Sequence, residues 1–366
     1  MSKLKLETAK MYFFKKTGKR RIDGAITFCE AQRDPSSPTP FLEIRGFVDS
    51  DTDIKHLICS INGSAARTFQ TPYDRQRITG EATRQPGRGF LTFVRIPPAL
   101  GDEISISIEA EDDAGHTVPI ARLDTSSAHC RVIEEEGFSS ELTFWKEAIT
   151  ARKHLEPALS VARSKEQYQY YYPEFLLNFV HRESPVLFPG EALLALDVGS
   201  GPFSQLIGGQ VQGLFQITAI DPLAREYVAL METDGLFREF PVKPIYGTGE
   251  TLMNLFGEES FHIAYIGNAL DHTQDPSLTI DNIYRVLKKN GIFMVIFYEN
   301  EGTTEWWRGL HQYDLSLDGS YIRCTNKFGD SCLITDPHIW THIYSKDLDY
   351  ESNAGRRLLG VAFRKD

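Results

Sequence analysis

The sequence is poor in cysteine and has no long apolar run. Its five cysteines are an odd number and are widely spread, and no two of them form a Cys-x-x-Cys pair. A disulfide framework and structural zinc are therefore not expected. No stretch reaches the roughly 18 uninterrupted apolar residues of a membrane-spanning helix, and the first residues lack the apolar run of a secretory signal. We expect a cytoplasmic protein, because a reducing compartment suits free thiols.

Basic residues are also scarce over most of the chain. Residues 131–366 contain 21 Lys and Arg against 33 Asp and Glu. Nucleic-acid binding needs a basic face, so we expect no nucleic-acid partner. The first 21 residues are the exception, with eight Lys and Arg against one acid, Glu7. The segment 15–21 could touch an anionic membrane or polymer, although a solvated arm is the simpler interpretation.

The length of 366 residues suits two domains. Residues 1–40 are interpreted as a basic arm and a proline-rich linker. Residues 41–132 contain short alternating runs without a helical pattern, which predicts a small antiparallel β-sandwich. Residues 133–172 predict a connecting helix, broken or kinked near Pro157. The strands predicted for the sandwich cover 41–48, 54–61, 90–96, 104–109 and 116–122.

From residue 173 to the C-terminus, strands and helices alternate. Short, largely apolar strands with helical crossovers predict a parallel sheet that is covered on both faces. A helix is predicted over 281–289, closed by Asn290-Gly291 as a left-handed exit. The predicted parallel strands are 193–198, 216–220, 241–246, 262–266 and 291–298, and antiparallel strands are predicted at 320–325, 330–335 and 358–364.

A glycine-rich turn follows the first of these strands. Gly199 and Gly201 tolerate positive φ and let the backbone approach a nucleotide cofactor. Ser204 replaces the third glycine of the dinucleotide fingerprint, and Asp197 could accept a hydrogen bond from the ammonium of a methionine moiety. Asp221, at the end of the next strand, could take both ribose hydroxyls. These residues favour S-adenosylmethionine, while NAD or a turn without any ligand stay open.

Five segments in order resemble motifs of class I S-adenosylmethionine-dependent methyltransferases, type 11 in particular. They are 196–203 (LDVGSGPF), 219–222 (AIDP), 246–252 (YGTGETL), 261–272 (FHIAYIGNALDH) and 285–291 (RVLKKNG). The resemblance implies an α/β fold with a Rossmann-like seven-stranded sheet, its last strand antiparallel, and S-adenosyl-L-methionine as cofactor. The cofactor-binding residues that it implies are Asp197, Gly199, Ser200, Gly201, Asp221, Pro222, Gly249, Glu250 and Asn268.

There are departures from the family pattern. Thr248 stands where many members have an acid that contacts adenine, so Gly249 and Glu250 must serve by backbone or side chain. Lys289-Asn290 replaces the usual Pro-Gly and should affect only the helix exit.

The segment after the fourth strand bears on the methyl acceptor. It has neither the Asn/Asp-Pro-Pro-Tyr/Phe of DNA amino methyltransferases nor a cysteine for cytosine C5, because no cysteine lies between 131 and 323. It offers Asp271 and His272 instead. Methylating an alcohol requires removal of its proton, for which histidine is well tuned near neutral pH. We predict His272 as the base and Asp271 as its orienting or substrate-binding partner; capping or packing is the alternative.

A second candidate segment covers 305–313 (EWWRGLHQY). Trp306 and Trp307 could face a sugar ring or simply pack in the core. The run GLHQY resembles GLHQW in bacterial methyltransferases found among surface-polysaccharide genes. His311 could be a base, a substrate ligand or a metal ligand. A divalent-metal site of Asp271, His272 and His311 is an alternative that no ligand spacing demands, so no metal is expected.

Together these patterns predict an O-methyltransferase that acts on a hydroxyl of a small molecule, a glycan or a glycan precursor. The β-sandwich would hold the acceptor or a partner. One rival is an NAD(P)-linked sugar-modifying oxidoreductase, whose Tyr284 and Lys288 would lie away from the strand ends. The other rival is a methyltransferase-like scaffold without catalysis. The acceptor and the oligomeric state do not follow from the sequence.

Overall fold

The structure is a computed structural model that divides into two compact units, Met1–Glu134 and Glu135–Asp366. The basic segment 15–21 and Pro157 lie outside the described residues. Within the described residues, no helix is both long and apolar enough to cross a membrane. The structure describes residues 22–33, 41–50, 54–66, 69–74, 88–96, 103–112, 115, 117–126, 131–151, 176, 179–211, 213–233, 235–236, 242–348 and 356–366.

The first unit is built from two sheets. Its strands are β1 Ile22–Arg33, β2 Phe41–Ser50, β3 Ile54–Ile61, β4 Ser64–Ala66, β5 Phe69–Asp74, β6 Arg88–Arg95, β7 Glu103–Asp112, β8 Thr117–Ser126 and β9 Arg131–Val132. One sheet has the order β5-β6-β2-β1-β9 and the other β4-β3-β7-β8. Alternate residues of both sheets, such as Leu42, Ile44 and Ile106, share one buried core. This is the arrangement of a β-sandwich.

Strand β1 corrects the interpretation of residues 1–40 as arm and linker. Residues 22–33 pair with β2 in antiparallel register instead. The register shifts between Ile26 and Phe28, and a bulge of this kind breaks the two-residue alternation by which a strand is recognised in sequence.

The second unit contains a seven-stranded sheet of order β12-β11-β10-β13-β14-β19-β18. The first five strands in this order run parallel, and β19 is antiparallel to both β14 and β18. The predicted sheet with its antiparallel last strand is therefore confirmed. The strands are β10 Leu194–Val198, β11 Gln216–Asp221, β12 Ile245–Tyr246, β13 Phe261–Gly267, β14 Leu287–Tyr298, β18 Trp340–Asp347 and β19 Leu358–Lys365.

Three further strands form a separate antiparallel sheet, and short helices cover the main one. The small sheet comprises β15 Tyr313–Asp318, β16 Tyr321–Asn326 and β17 Ser331–Leu333. The helices are α1 Ile133–Ala151, α2 Ser184–Leu187, α3 Ile207–Val211, α4 Ala224–Thr233, α5 Leu252–Leu255, α6 Pro276–Val286 and α7 Glu301–Thr304, with a π-helical turn at Phe179–Glu183 and 3-10 turns at Gly249–Thr251 and Leu270–His272.

Helix α6 begins and ends earlier than the predicted range 281–289. Asp275 caps its first turn by accepting a hydrogen bond from the Leu278 N–H at 3.0 Å. Asn290 has a positive φ of 62°, yet it lies within β14 and not at the helix exit. Four residues of β14, between Leu287 and Ile292, lie opposite the single residue His262 of β13, so the left-handed turn marks a strand irregularity.

Apolar residues cover both faces of the seven-stranded sheet. Leu196 packs with Ile280 and Ile283 of α6 on one face. Its neighbour Ala195 packs with Phe179 on the other. Both faces of the sheet are therefore buried. The polar groups that end the parallel strands meet at the carboxyl edge of the sheet, because parallel strands all end there. Ligands of open α/β sheets bind at this edge.

Candidate active site

Residues 197–204, here called the glycine turn, connect β10 to the next segment through two left-handed glycines. Gly199 and Gly201 have φ values of 69° and 62°. The Gly199 and Ser200 N–H groups donate to the Ile220 carbonyl at 2.9 and 3.1 Å. A Cβ on Gly199 would lie 2.6 Å from the Cβ of Ala269. Glycine is needed here for both conformation and space.

Asp197 lies at the base of the glycine turn and is only 1% exposed. Its Oδ2 accepts a hydrogen bond from the Ser204 hydroxyl at 2.6 Å. Its Oδ1 is buried and has no hydrogen-bond partner among the described residues. Burial raises the pKa of this carboxyl to about 7. An unpaired buried acceptor is costly, and an ammonium group of a ligand would satisfy it.

Asp221 ends β11 beside the glycine turn. Its Oδ2 accepts from the Gly201 N–H at 2.9 Å and its Oδ1 from the Leu223 N–H at 2.8 Å. Burial raises the pKa of Asp221 to about 6 although both hydrogen bonds oppose the shift. Each carboxylate oxygen has a second lone pair, so the carboxylate can still accept from ligand hydroxyls. The predicted ligand contacts of Ser200 and Pro222 stay predictions.

Trp145 of α1 covers the glycine turn, a position that the sequence analysis did not foresee. A Cβ on Gly201 would lie 3.3 Å from Trp145 Cζ2. The Trp145 indole donates to Glu141 Oε1 at 2.8 Å and meets the Phe203 ring edge-on at 5.5 Å. The only signal in the sequence was a place on the apolar face of a helix, which does not distinguish a core residue from a site residue.

The predicted adenine-reading residues are tied into the fold. Glu250 Oε1 accepts hydrogen bonds from the Gln274 and Asp275 N–H groups at 2.7 and 3.0 Å. Asn282 donates to the carbonyls of Gly249 and Glu250 at 3.1 and 2.9 Å. The Glu250 carboxylate thus braces the turn before α6, and a cofactor contact from this segment would come from the backbone.

Asn268 has a left-handed backbone with φ of 51°. Its N–H donates to the Ile296 carbonyl at 2.7 Å, and its Oδ1 accepts from the Tyr298 N–H at 3.4 Å. Both contacts hold the end of β13 against β14. Cofactor binding by Asn268 stays a prediction.

Asp271, His272 and His311, here called the Asp-His-His cluster, meet at the same edge of the sheet. His311 Nδ1 lies 2.8 Å from Asp271 Oδ2 and 3.0 Å from His272 Nε2, and the Asp271 Oδ2 to His272 Nε2 distance is 3.7 Å. The Asp271 side chain is 2% exposed, whereas those of His272 and His311 are 17% and 24% exposed. Two accessible imidazoles therefore lie over a buried carboxylate.

The three groups of the cluster shift one another's ionisation. Burial lowers the pKa of His272 and favours its neutral form. Burial also opposes protonation of His311, but its hydrogen bond and charge interaction with Asp271 raise the His311 pKa overall. Burial tends to raise the pKa of Asp271, and its interactions with His272 and His311 lower it below its usual value. The arrangement suits a carboxylate, a protonated His311 and a neutral His272 that can accept a proton.

Glu301, at the start of α7, is a second buried carboxyl group that the sequence analysis missed. It is 5% exposed, and its Oε2 has no hydrogen-bond partner among the described residues. Burial, followed by the charge of Asp271, raises the pKa of Glu301 to about 8. An isolated glutamate in an otherwise polar segment gives no sequence signal for burial.

The segment 305–313 does not present the expected open aromatic face. Trp306 and Trp307 are 7% and 5% exposed, and both have a positive φ. A Cβ on Gly302 would lie 2.9 Å from the Trp307 ring, which shows how closely this ring packs. Core packing, the alternative interpretation, describes both tryptophans. Gln312 braces the segment further, because its side chain donates to the Gly309 carbonyl at 2.7 Å.

Neither member of the Tyr284 and Lys288 pair is placed for hydride transfer. The Lys288 ammonium forms an ion pair with Glu191. The Tyr284 ring packs edge-on against Trp340 at 5.2 Å. Neither contact favours the oxidoreductase alternative.

Comparison with known proteins identifies a domain within the second unit. Residues 196–295 match the family model of a methyltransferase domain. No curated protein matches the chain.

The solved structures that match the chain are distant in sequence. A 1,6-didemethyltoxoflavin N1-methyltransferase of Burkholderia thailandensis is 16% identical over 71% of this chain and 95% of its own, with a TM-score of 0.34. A methyltransferase of Methanosarcina mazei is 16% identical over 50% and 97%, with a TM-score of 0.33. At these TM-scores and identities, the two structures give no information on the substrate of this chain.

The buried, unpaired Asp197 Oδ1 and the turn at Gly199, which a Cβ would fill, fit a cofactor with an ammonium group. The domain match, the order of the strands and this fit agree. The second unit of the chain therefore contains a class I S-adenosylmethionine-dependent methyltransferase domain.

Proposed function

We propose that this protein methylates a hydroxyl group, on a glycan or glycan precursor, with S-adenosylmethionine as the donor. The observation that carries the proposal is the Asp-His-His cluster beside the glycine turn. Ala269 touches the Gly199 position and is two residues from Asp271, so the Cα atoms of Ala269 and Asp271 are at most about 7 Å apart. A proton-accepting group thus lies close to the place where the cofactor would bind.

S-adenosylmethionine, when bound, supplies a methyl group on a positively charged sulfur. Asp197 would hold its ammonium through the unpaired Oδ1, Asp221 would hold its ribose, and backbone near Gly249 would lie along its adenine. The turn at Gly199 leaves the backbone free of a side chain, as close approach of a cofactor requires.

The Asp-His-His cluster would bind the acceptor hydroxyl and remove its proton. His272 is the base, because burial keeps it neutral and its side chain is accessible. Asp271 orients His311 through the 2.8 Å contact and offsets the positive charge that the cluster gains with the proton. General-base catalysis of this kind contributes about 10²–10⁴ in rate.

The glycan part of the proposal rests on the resemblance of residues 309–313 to a segment of polysaccharide-associated methyltransferases. The buried Trp306 and Trp307 add no support, since neither ring is open to a sugar. We propose that the β-sandwich unit binds the acceptor or a partner.

Analysis of the product tests the proposal. The purified chain is incubated with radiolabelled S-adenosylmethionine and either cell-surface glycan fractions or nucleotide-linked sugars. The labelled product is then characterised by NMR. A methyl ether on a sugar hydroxyl is expected. Label on nitrogen or carbon contradicts O-methylation, and label on a hydroxyl of a non-sugar compound contradicts only the glycan assignment. Cofactor binding without transfer to any fraction supports a scaffold without catalysis.

A further inference from the structure

The three ligand-type atoms of the Asp-His-His cluster form a small triangle. The distances between Asp271 Oδ2, His272 Nε2 and His311 Nδ1 are 2.8, 3.0 and 3.7 Å. One ligand-type atom from each of the three residues comes within 4.8 Å of the other two, although His311 lies 39 residues from His272 in the chain. The expectation of no metal rested on the spacing of these residues in the sequence. The fold brings their side chains together in spite of that spacing.

The size of the triangle matches the coordination shell of a metal ion. Metal–nitrogen and metal–oxygen distances of about 2.1 Å place neighbouring ligands about 3.0 Å apart in an octahedron and about 3.4 Å apart in a tetrahedron. The observed distances of 2.8 to 3.7 Å bracket these values. One ion can therefore contact all three atoms after shifts of a few tenths of an ångström.

One further atom supports an ion at this position. Asp271 Oδ1 is buried and has no hydrogen-bond partner among the described residues. A buried carboxylate oxygen without a partner is unfavourable, and a bound cation would satisfy it.

We propose that Asp271, His272 and His311 bind a divalent transition-metal ion. Two imidazoles and one carboxylate suit iron, cobalt, nickel or zinc, whereas magnesium and calcium prefer oxygen ligands alone. Three protein ligands leave coordination positions open, which is typical of catalytic metal sites. The partial exposure of His272 and His311 places those positions on the accessible side of the cluster.

The consequence for catalysis rests on the proposed function. An acceptor hydroxyl that occupies an open position would lose its proton to solvent water more easily, because a bound cation lowers the pKa of a coordinated oxygen. The cation would then replace the His272 imidazole as the group that activates the hydroxyl, and both histidines would act as ligands.

Titration of the full chain with cobalt(II) tests the site directly. After dialysis against a chelator, we expect one cobalt ion per chain and a visible absorption band from histidine-coordinated cobalt, with no comparable binding of magnesium. The variants Asp271→Asn and His311→Ala should each weaken cobalt binding at least about 100-fold, because even changes beyond the ligands cost 10- to 100-fold. His338→Ala, which changes an exposed histidine, should bind as the unmodified chain does.

Binding of S-adenosylhomocysteine by each variant, measured calorimetrically, shows that the second unit is folded. Absence of the cobalt band, or a band that persists in both cluster variants, would overturn the site. Cobalt binding does not depend on methyl transfer, so failure to find a methylated hydroxyl would contradict the proposed function and leave the metal result standing.

Discussion

The glycine turn and the Asp-His-His cluster each bury an aspartate with one unpaired oxygen, but the supporting contacts differ. Asp197 is held by Ser204, seven residues away, and the nearby Asp221 is held by backbone N–H groups. Asp271 is held by a histidine 40 residues away. The first group is therefore built largely from neighbouring loops of one motif, and the second from side chains that meet only in the folded chain.

This difference suits the glycine turn and the Asp-His-His cluster to different roles. Backbone donors and glycines bind a ligand that has a fixed shape, and they leave little room for substitution. Contacts between side chains can change without altering the sheet, which agrees with the proposal that the cluster binds the acceptor. The two parts join at Gly199 and Ala269, where a Cβ on the glycine would lie 2.6 Å from the alanine Cβ.

The largest expected effect separates the two parts of the site. His272→Asn should lower kcat by about 10²–10⁴, the usual contribution of a general base or an activating group. The dissociation constant for S-adenosylhomocysteine should change less than about twofold, because among the described residues no hydrogen bond is seen between His272 and the glycine turn. Steady-state kinetics and calorimetry measure the two quantities. His338→Asn is the control, and unchanged turnover in His272→Asn would remove this residue from catalysis.

Gly199→Ala should damage both parts at once. The added Cβ meets Ala269 in a backbone with φ of 69°. Left-handed strain of about 1–2 kcal/mol and overpacking of about 1–3 kcal/mol together predict a loss of about 2–5 kcal/mol in the free energy of unfolding. Urea denaturation monitored by near-ultraviolet circular dichroism measures the loss.

Gly213→Ala is a matched control for this change. Gly213 has φ of 72°, and a Cβ there would meet nothing within 4 Å. Only the strain of about 1–2 kcal/mol is expected. Equal losses in the two variants would show that the contact between the glycine turn and Ala269 contributes nothing.

The sequence predicted the left-handed glycines of the glycine turn, because the conformation of such a turn depends on local order. Asp197, Gly199 and Gly201 follow one strand, and the parallel sheet places Asp221 beside them. The seven-stranded sheet followed from the same motifs. Strand β18 was missed because it is a half-exposed edge strand, whose polar residues resemble a loop in sequence.

The sequence pointed to the members of the Asp-His-His cluster, but it brought the three together only in the alternative of a metal site. Asp271 and His272 were found as neighbours after a strand, and His311 was found in a segment with several interpretations. Their meeting depends on the connection from β14 through α7, where the Gln312 N–H donates to the Asp271 carbonyl at 3.2 Å. The burial of Glu301 and Trp307 depends on the same connection, and no local pattern in the sequence encodes it.

Asp197→Asn tests whether charge, and not shape alone, holds the cofactor. The amide can still accept from Ser204 but loses the charged acceptor for an ammonium. Loss of a charge-assisted hydrogen bond of about 1.5–3 kcal/mol predicts about 10- to 150-fold weaker binding of S-adenosylhomocysteine.

Asp221→Ala should weaken binding of S-adenosylhomocysteine by about 1–3 kcal/mol. Asp318→Asn, which changes an exposed side chain, is the calorimetric control and should change nothing.

The smallest expected effect is a pH dependence that belongs to the glycine turn alone. Burial raises the pKa of Asp197 to about 7, so the cofactor-free protein carries a proton there below that pH. Binding an ammonium favours the carboxylate and releases this proton. The affinity for S-adenosylhomocysteine should therefore rise about tenfold between about pH 6 and pH 8.

The stability of the cofactor-free protein should change in the opposite direction. A folded-state pKa above the unfolded value stabilises the protein below about pH 4, and this contribution is lost as the pH rises through about 7.

Calorimetry in buffers with different ionisation enthalpies measures the proton released on binding. Asp197→Asn should abolish most of the release, while His272→Asn should retain it. If both variants release the same number of protons as the unmodified chain, a group other than Asp197 titrates, and the unpaired oxygen at the glycine turn is not the ammonium site.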